Sequence, residues 1–175
     1  QSKMFGQIEE HLKTGGLKRY EISNFAVPGF ESKHNSMYWE NKSYLGFGLG
    51  SHSYMRSIGN WGTRFWNPRH MNIYSNAISQ SDNLTNLKHL PFAQIDTLNA
   101  KSALSEFFMT SLRTSRGFSV AALQERFKLE PTHEAWKQLS RLVQNKLLSL
   151  SNDQYKLTAD GIPLSDQVFR DLTFI

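Results

Sequence analysis

The sequence predicts an α/β segment, the closing part of a partial α/β barrel, followed by a mainly helical domain in winged-helix order. Short strand-like and helix-like stretches alternate across glycine and proline turns from Lys18 to Ile78. Amphipathic helical stretches between Leu104 and Val143 then run into a hairpin pattern from Leu147 to Leu157. Between the two blocks the polar stretch Ser79 to Asn86 reads as a linker, dividing the chain into residues 1–80 and residues 92–175.

Met4, Ile8 and Leu12 place apolar side chains on one face of a first helix. It ends at Gly15-Gly16, since glycine readily closes a helix C-terminus. Lys18 to Phe25 reads as a strand, and the Pro28-Gly29 turn leads into a short helix over His34-Asn35-Ser36-Met37-Tyr38-Trp39. Tyr44 to Gly48 reads as another strand, Thr63 to Trp66 as an extended segment, and Pro68 to Ile78 as a helix with proline near its first turn. In the second block Leu104, Phe107, Phe108 and Leu112 fall at i, i+3, i+4 and i+8, an apolar stripe facing inward. Ser119 is placed to cap the next helix, with Val120, Leu123 and Phe127, and Trp136, Leu139 and Val143 repeat the spacing on a third. Leu147 to Leu150, a Ser151-Asn152-Asp153 turn and Tyr155 to Leu157 make a hairpin. Thr158 is then placed to cap a last helix through Leu164, Val168 and Leu172.

With 39% hydrophobic and 20% charged residues, the 175-residue chain can bury the core of one or two domains. No apolar run approaches the ~20 residues of a membrane span, and no basic-then-apolar signal opens the sequence, so the expected location is cytoplasmic. The absence of cysteine excludes disulfides and thiolate metal sites. Of the net charge of +5, most falls in residues 1–91, and residues 20–74 carry three of the four Trp and five of the six Tyr. Rings and basic charge together suit a flat, anionic, aromatic ligand; the same rings also suit a barrel core.

His34 and Tyr38 stand at i and i+4 on one helix face, so an imidazole and a phenol project together. A neutral imidazole is a common iron ligand, which makes His34 a candidate axial ligand walled by Tyr38 and Trp39. The other reading is a half-buried histidine bonded to a backbone carbonyl. Further on, Gly46, Gly48 and Gly50 precede Ser51-His52-Ser53, and glycines at a strand end allow a large group to lie against the backbone. Their spacing fits neither a dinucleotide fingerprint nor a phosphate-binding loop. His11, His70, His89 and His133 share no metal-ligand spacing, and no nucleophile elbow is present. A winged helix also admits a nucleic-acid reading, with Lys137, Gln138, Arg141 and Asn145 on a recognition helix over 132–146. The near-neutral balance of residues 92–175, with Glu130, Glu134 and Asp153 close by, argues against it, so no nucleic-acid partner is expected.

The succession Tyr20-Glu21-Ile22-Ser23-Asn24-Phe25-Ala26, Pro28-Gly29-Phe30, His34-Asn35-x-x-Tyr38-Trp39 and Tyr44-Leu45-Gly46-x-Gly48-x-Gly50-Ser51-His52-Ser53 resembles the oxygen-independent coproporphyrinogen III oxidase-like family of radical S-adenosylmethionine (SAM) proteins. Within it, the His-Asn-x-x-Tyr-Trp motif resembles the heme chaperone branch. The resemblance implies the closing part of a TIM-like radical SAM barrel over residues 1–80 and the family's small C-terminal domain over residues 92–175. It implies heme contact by His34, Asn35, Tyr38 and Trp39, with His34 as ligand of the heme iron, and it sets His52 near the adenosine of SAM. The implied cofactors are heme, SAM and a [4Fe-4S] cluster. Because the family holds that cluster on an N-terminal Cys-x-x-x-Cys-x-x-Cys motif, a chain without cysteine does not hold it. The expectation is a C-terminal part of a longer protein, beginning inside a barrel helix. The implied activity is delivery of heme to heme-accepting proteins, with peripheral contact with membrane proteins. The alternative is oxidative decarboxylation of coproporphyrinogen III in porphyrin biosynthesis, and the sequence leaves open whether the protein is an enzyme.

Overall fold

Several helix ends trace to a local cap or a turn glycine. The computed structural model describes residues 2–79 and 94–174. All but the first residue of the expected linker Ser79 to Asn86 lies outside the described residues. Helix α1 (Ser2–Thr14) closes as expected at Gly15-Gly16, where Gly16 takes φ +79°. Strands β1 (Lys18–Glu21) and β2 (Asn24–Ala26) pair antiparallel. The single strand expected over Lys18 to Phe25 is thus folded back at Ile22-Ser23. The cause is the Glu21 carboxylate, whose Oε1 accepts from the Ser23 backbone N–H at 2.8 Å and from Asn24 Nδ2 at 2.6 Å. Helix α2 (Lys33–Trp39) spans the His-Asn-x-x-Tyr-Trp motif and starts on Ser32, whose Oγ accepts from the Asn35 N–H at 3.2 Å.

Strands β3 (His52–Met55) and β4 (Thr63–Trp66) follow, then helix α3 (Met71–Ser79) and strand β5 (Gln94–Thr97). The strand expected over Tyr44 to Gly48 is reduced to one bridge, Tyr44 with Tyr54. Leu45 and Phe47 both face solvent there, and Gly48 at φ +92° turns the chain out of the extended region. The helix expected from Pro68 begins three residues later, at Met71.

The remaining elements are α4 (Ala100–Arg113), β6 (Phe118–Ser119), α5 (Val120–Phe127), α6 (Glu134–Gln144), β7 (Leu148–Ser151), β8 (Gln154–Leu157), a 3-10 turn over Ile162–Leu164, and α7 (Ser165–Asp171). The expected stripe of α4 is buried throughout. Ser119 caps α5 as expected, its Oγ accepting from the Ala122 N–H at 3.0 Å. On α6 the buried line is Ala135, Leu139 and Leu142, so Trp136 and Val143 sit at its margin, half-buried. Asn152 and Asp153 take φ +50° and +57°, the twist a two-residue hairpin turn demands. Thr158 accepts from the Gly161 N–H at 2.9 Å and so caps the turn before Ile162–Leu164, and the last α-helix starts only at Ser165.

Two units result, Gln1–Glu40 with Ala100–Ile175, and Asn41–Asn99. In the first, β6, β8 and β7 form an antiparallel sheet in that order against α4, α5 and α6, which is winged-helix topology. Its core comprises Leu104, Phe107, Phe108, Leu112, Leu123, Leu139, Leu142, Val168 and Leu172 with their neighbours. In the second unit β3, β4 and β5 form an antiparallel sheet, with Tyr54 and Phe65 buried. Every strand pair among the described residues is antiparallel.

Two glycine substitutions should move stability in opposite directions. A Cβ on Gly117, at φ +64°, would overlap the carbonyl of Tyr155 across the β6–β8 pair, so Gly117→Ala should cost about 2–4 kcal/mol in chemical denaturation. Gly6, inside α1 with open space around it, should gain about 0.5–1 kcal/mol as alanine.

Candidate functional site

Helix α2 brings two of the expected residues together. The His34 and Tyr38 rings lie 4.9 Å apart, edge to face at 82°, with His34 exposed and Tyr38 half-buried. The ring of His34 therefore stands in solvent beside the phenol. Asn35, between them in sequence, is half-buried, and its backbone N–H is taken by the Ser32 cap.

Trp39, at the end of α2, packs against the last residue of α4. The Arg113 guanidinium sits 4.5 Å from its ring centre. Arg113 Nε donates in turn to Glu21 Oε2 at 2.8 Å, and the Glu21 side chain is fully buried. The indole Nε1–H of Trp39 is buried without an acceptor. Close by, a cleft of about 260 Å³ is lined by Tyr20, Glu31, Ser36, Trp39, Glu40 and Arg116 among others. Across its rim Arg116 Nη2 and Glu40 Oε1 pair at 2.6 Å. The backbone N–H groups of Glu31 itself and of Gly29 hold the Glu31 carboxyl below its usual range, so it stays an anion there. Neither Glu21 nor Arg113 was singled out by sequence reasoning. The available signal was a carboxylate inside the mostly apolar run Tyr20-Glu21-Ile22, followed by the turn formers Ser23-Asn24.

The glycine run lies in the second unit. A Cβ on Gly46 would overlap the carbonyl oxygen of His52, so the space its hydrogen leaves is filled by the chain itself. Gly48 and Gly50 are required by φ of +92° and +62°. These glycines serve the loop's own path, where the sequence suggested a backbone cleared for a large ligand. What holds the loop is Asn67: its Nδ2 lies 3.1 Å from Gly46 O, 3.0 Å from Gly48 O and 2.8 Å from Ser51 Oγ, while its backbone N–H donates to Ser51 O at 2.9 Å. Asn67 was missed, although asparagine before proline is a turn signal. His52 is exposed and stands edge-on to Trp66, with ring centres 5.1 Å apart. Among the described residues no group of three or more His, Asp or Glu could hold a metal ion, and no helix is long and apolar enough to cross a membrane.

Asn67→Ala should cost about 1–3 kcal/mol, since the Gly46 carbonyl loses its side-chain donor while Gly48 O keeps only its bonds from Ser51. Amide hydrogen exchange should accelerate over Gly46–Ser51, while β6–β8 protection stays unchanged.

Residues 98–164 match the HemN C-terminal domain family. Over 95% of its length the chain is 30% identical to "Heme chaperone HemW" of Lactococcus lactis subsp. lactis, covering 40% of that protein. Over 97% of its length it is 30% identical to "Heme chaperone HemW" of Bacillus subtilis, covering 41%. The chain therefore spans about two fifths of the length of these relatives. The solved structure of coproporphyrinogen III oxidase (HemN) from Escherichia coli, a radical SAM enzyme, aligns with 95% of this chain and 39% of its own at a TM-score of 0.64. At 15% identity that likeness is one of fold.

Proposed function

We propose that this chain, which belongs as a C-terminal portion to the HemN-like family of radical SAM proteins, carries the heme-contacting helix of a heme chaperone that binds heme and passes it to acceptor proteins. The observation that carries the proposal is the end-to-end arrangement of α2: an exposed imidazole at His34, a phenol edge against it at 4.9 Å, and a buried indole N–H at Trp39 with no acceptor. These groups fit heme. When bound, it supplies an iron that accepts an imidazole nitrogen, a flat apolar face, and carboxylates that accept hydrogen bonds.

Each residue then has a task set by its place. His34 offers a ring nitrogen from a solvent-facing position, where a ligand can be taken up and surrendered without opening a core. Tyr38 limits the swing of that imidazole, since the edge-to-face contact favours one ring plane. Trp39 gives an apolar wall and a donor suited to a carboxylate oxygen. Asn35 sits in the first turn, anchored through its backbone to Ser32. In the second unit His52, paired edge-on with Trp66, offers an aromatic surface to the adenosine of SAM. A [4Fe-4S] cluster finds no cysteine thiolate in this chain, so its attachment is not the work of these residues. A cytoplasmic location and contacts with heme-accepting proteins belong to the same reading.

His34→Ala should shift the Soret band of the hemin complex and weaken hemin affinity about tenfold, with little change in thermal stability, because an exposed ring contributes under ~0.5 kcal/mol. An unchanged spectrum and affinity with a lowered melting temperature would instead make His34 a structural residue.

The proposed division at residues 80–92 also has a direct test. The buried winged-helix core is drawn from Leu104 to Phe174, so a fragment of residues 92–175 should melt cooperatively. It should melt below the full chain, since Arg113 loses its Glu21 partner. Non-cooperative melting would show that residues 1–40 complete the fold.

A further inference from the structure

The Trp39 indole has an orphaned N–H, so no hydrogen bond at its edge fixes the plane of the ring. The stacked guanidinium of Arg113 does lie against its face. That guanidinium is not a mobile surface group: its Nε is taken by Glu21 Oε2, while Glu21 Oε1 accepts from the Ser23 N–H and Asn24 Nδ2. A fully buried carboxylate with three donors has no freedom to reorient without leaving a charge unpaired, which is strongly unfavourable. The backbone locks the same junction, with the Ile22 N–H donating to Arg113 O at 3.0 Å and the Ser115 N–H to Tyr20 O at 3.0 Å. Neither end of the ion pair can slide past the other.

We infer that Glu21 and Arg113 are positioning residues for Trp39: the buried carboxylate aims the guanidinium, and the guanidinium sets the plane in which the indole walls the adjacent cleft, where a ligand would meet it. Arginine suits this task because a planar cation can stack on a ring by its face and donate to a carboxylate by its edge. A lysine ammonium, a point charge on a flexible stem, cannot do both at once. The identity of the ligand rests on the heme reading above; the orientation of Trp39 does not.

The test follows the indole N–H signals of the 15N-labelled 175-residue chain, which has four tryptophans, with Trp39→Phe identifying the Trp39 signal. In Arg113→Lys the Trp39 signal should move or broaden while those of Trp61, Trp66 and Trp136 stay in place, which also shows that the fold is intact. Glu21→Gln should displace the same signal. Should burial make Glu21→Gln unfold, Arg113→Lys and Arg113→Met, at a side chain that is 30% exposed, still decide the matter. Hemin affinity should fall about threefold to tenfold in the Arg113 variants, the size expected when one previously fixed side chain must be ordered on binding. An unmoved Trp39 signal in Arg113→Lys would overturn the inference. So would a displaced signal with unchanged hemin affinity in a chain whose hemin binding depends on His34. If the unaltered chain binds no hemin, the heme reading falls, and the Trp39 signal still judges the positioning role by itself.

Discussion

A carboxylate taken wholly out of water must be met by donors or it will not stay folded, and Glu21 is the place where this chain accepts that constraint. Its donors come from the turn that follows it and from Arg113, which lies 92 residues away in sequence. One buried charge thereby sets the β1–β2 hairpin, the end of α4 and the junction between them, reinforced by the bridge between Glu21 and Thr114. Helix α2 rests on the same support through the contact of Trp39 with Arg113.

If α2 contacts heme as proposed, this arrangement separates two demands that such a site would make. A ligand that must be handed on needs an accessible side, and His34 is exposed. A site that must recognise one shape needs a rigid side, and Trp39 is backed by an ion pair whose carboxylate end is fully buried. The two lie five residues apart on a helix of seven, so exposure and rigidity meet at opposite ends of one short element. The second unit applies the same physics with neutral groups, where Asn67 gathers two carbonyls and a hydroxyl to hold a glycine-rich loop in a path few other residues could follow.

Features that depend on nearest neighbours along the chain are legible in the sequence. The pairing of His34 with Tyr38 follows from helical pitch, the Ser119 cap from its place before an apolar run, and the stripe of α4 from spacing. The glycine end of α1 and the β7–β8 hairpin turn belong with them. Errors arose where a single residue redirected the backbone: the Glu21 carboxylate folded one expected strand into a hairpin, and Gly48 at positive φ ended another after a single bridge. The two-residue strand β6 was invisible, because periodicity needs more than two residues to register.

By itself, then, the sequence determined which stretches are helices, the glycine end of α1, the Ser119 cap of α5, the winged-helix order, and the motif that carries the family likeness. Only the tertiary structure decided that Glu21 meets Arg113, that Arg113 meets Trp39, and that Gly46 makes room for the carbonyl of His52 rather than for a ligand. The physical reason is range. Caps and stripes are set within one or two helical turns, where spacing dictates contact. A buried ion pair or a backbone overlap depends on which distant segments the folded core brings within about 3 Å, and no local pattern encodes that partner.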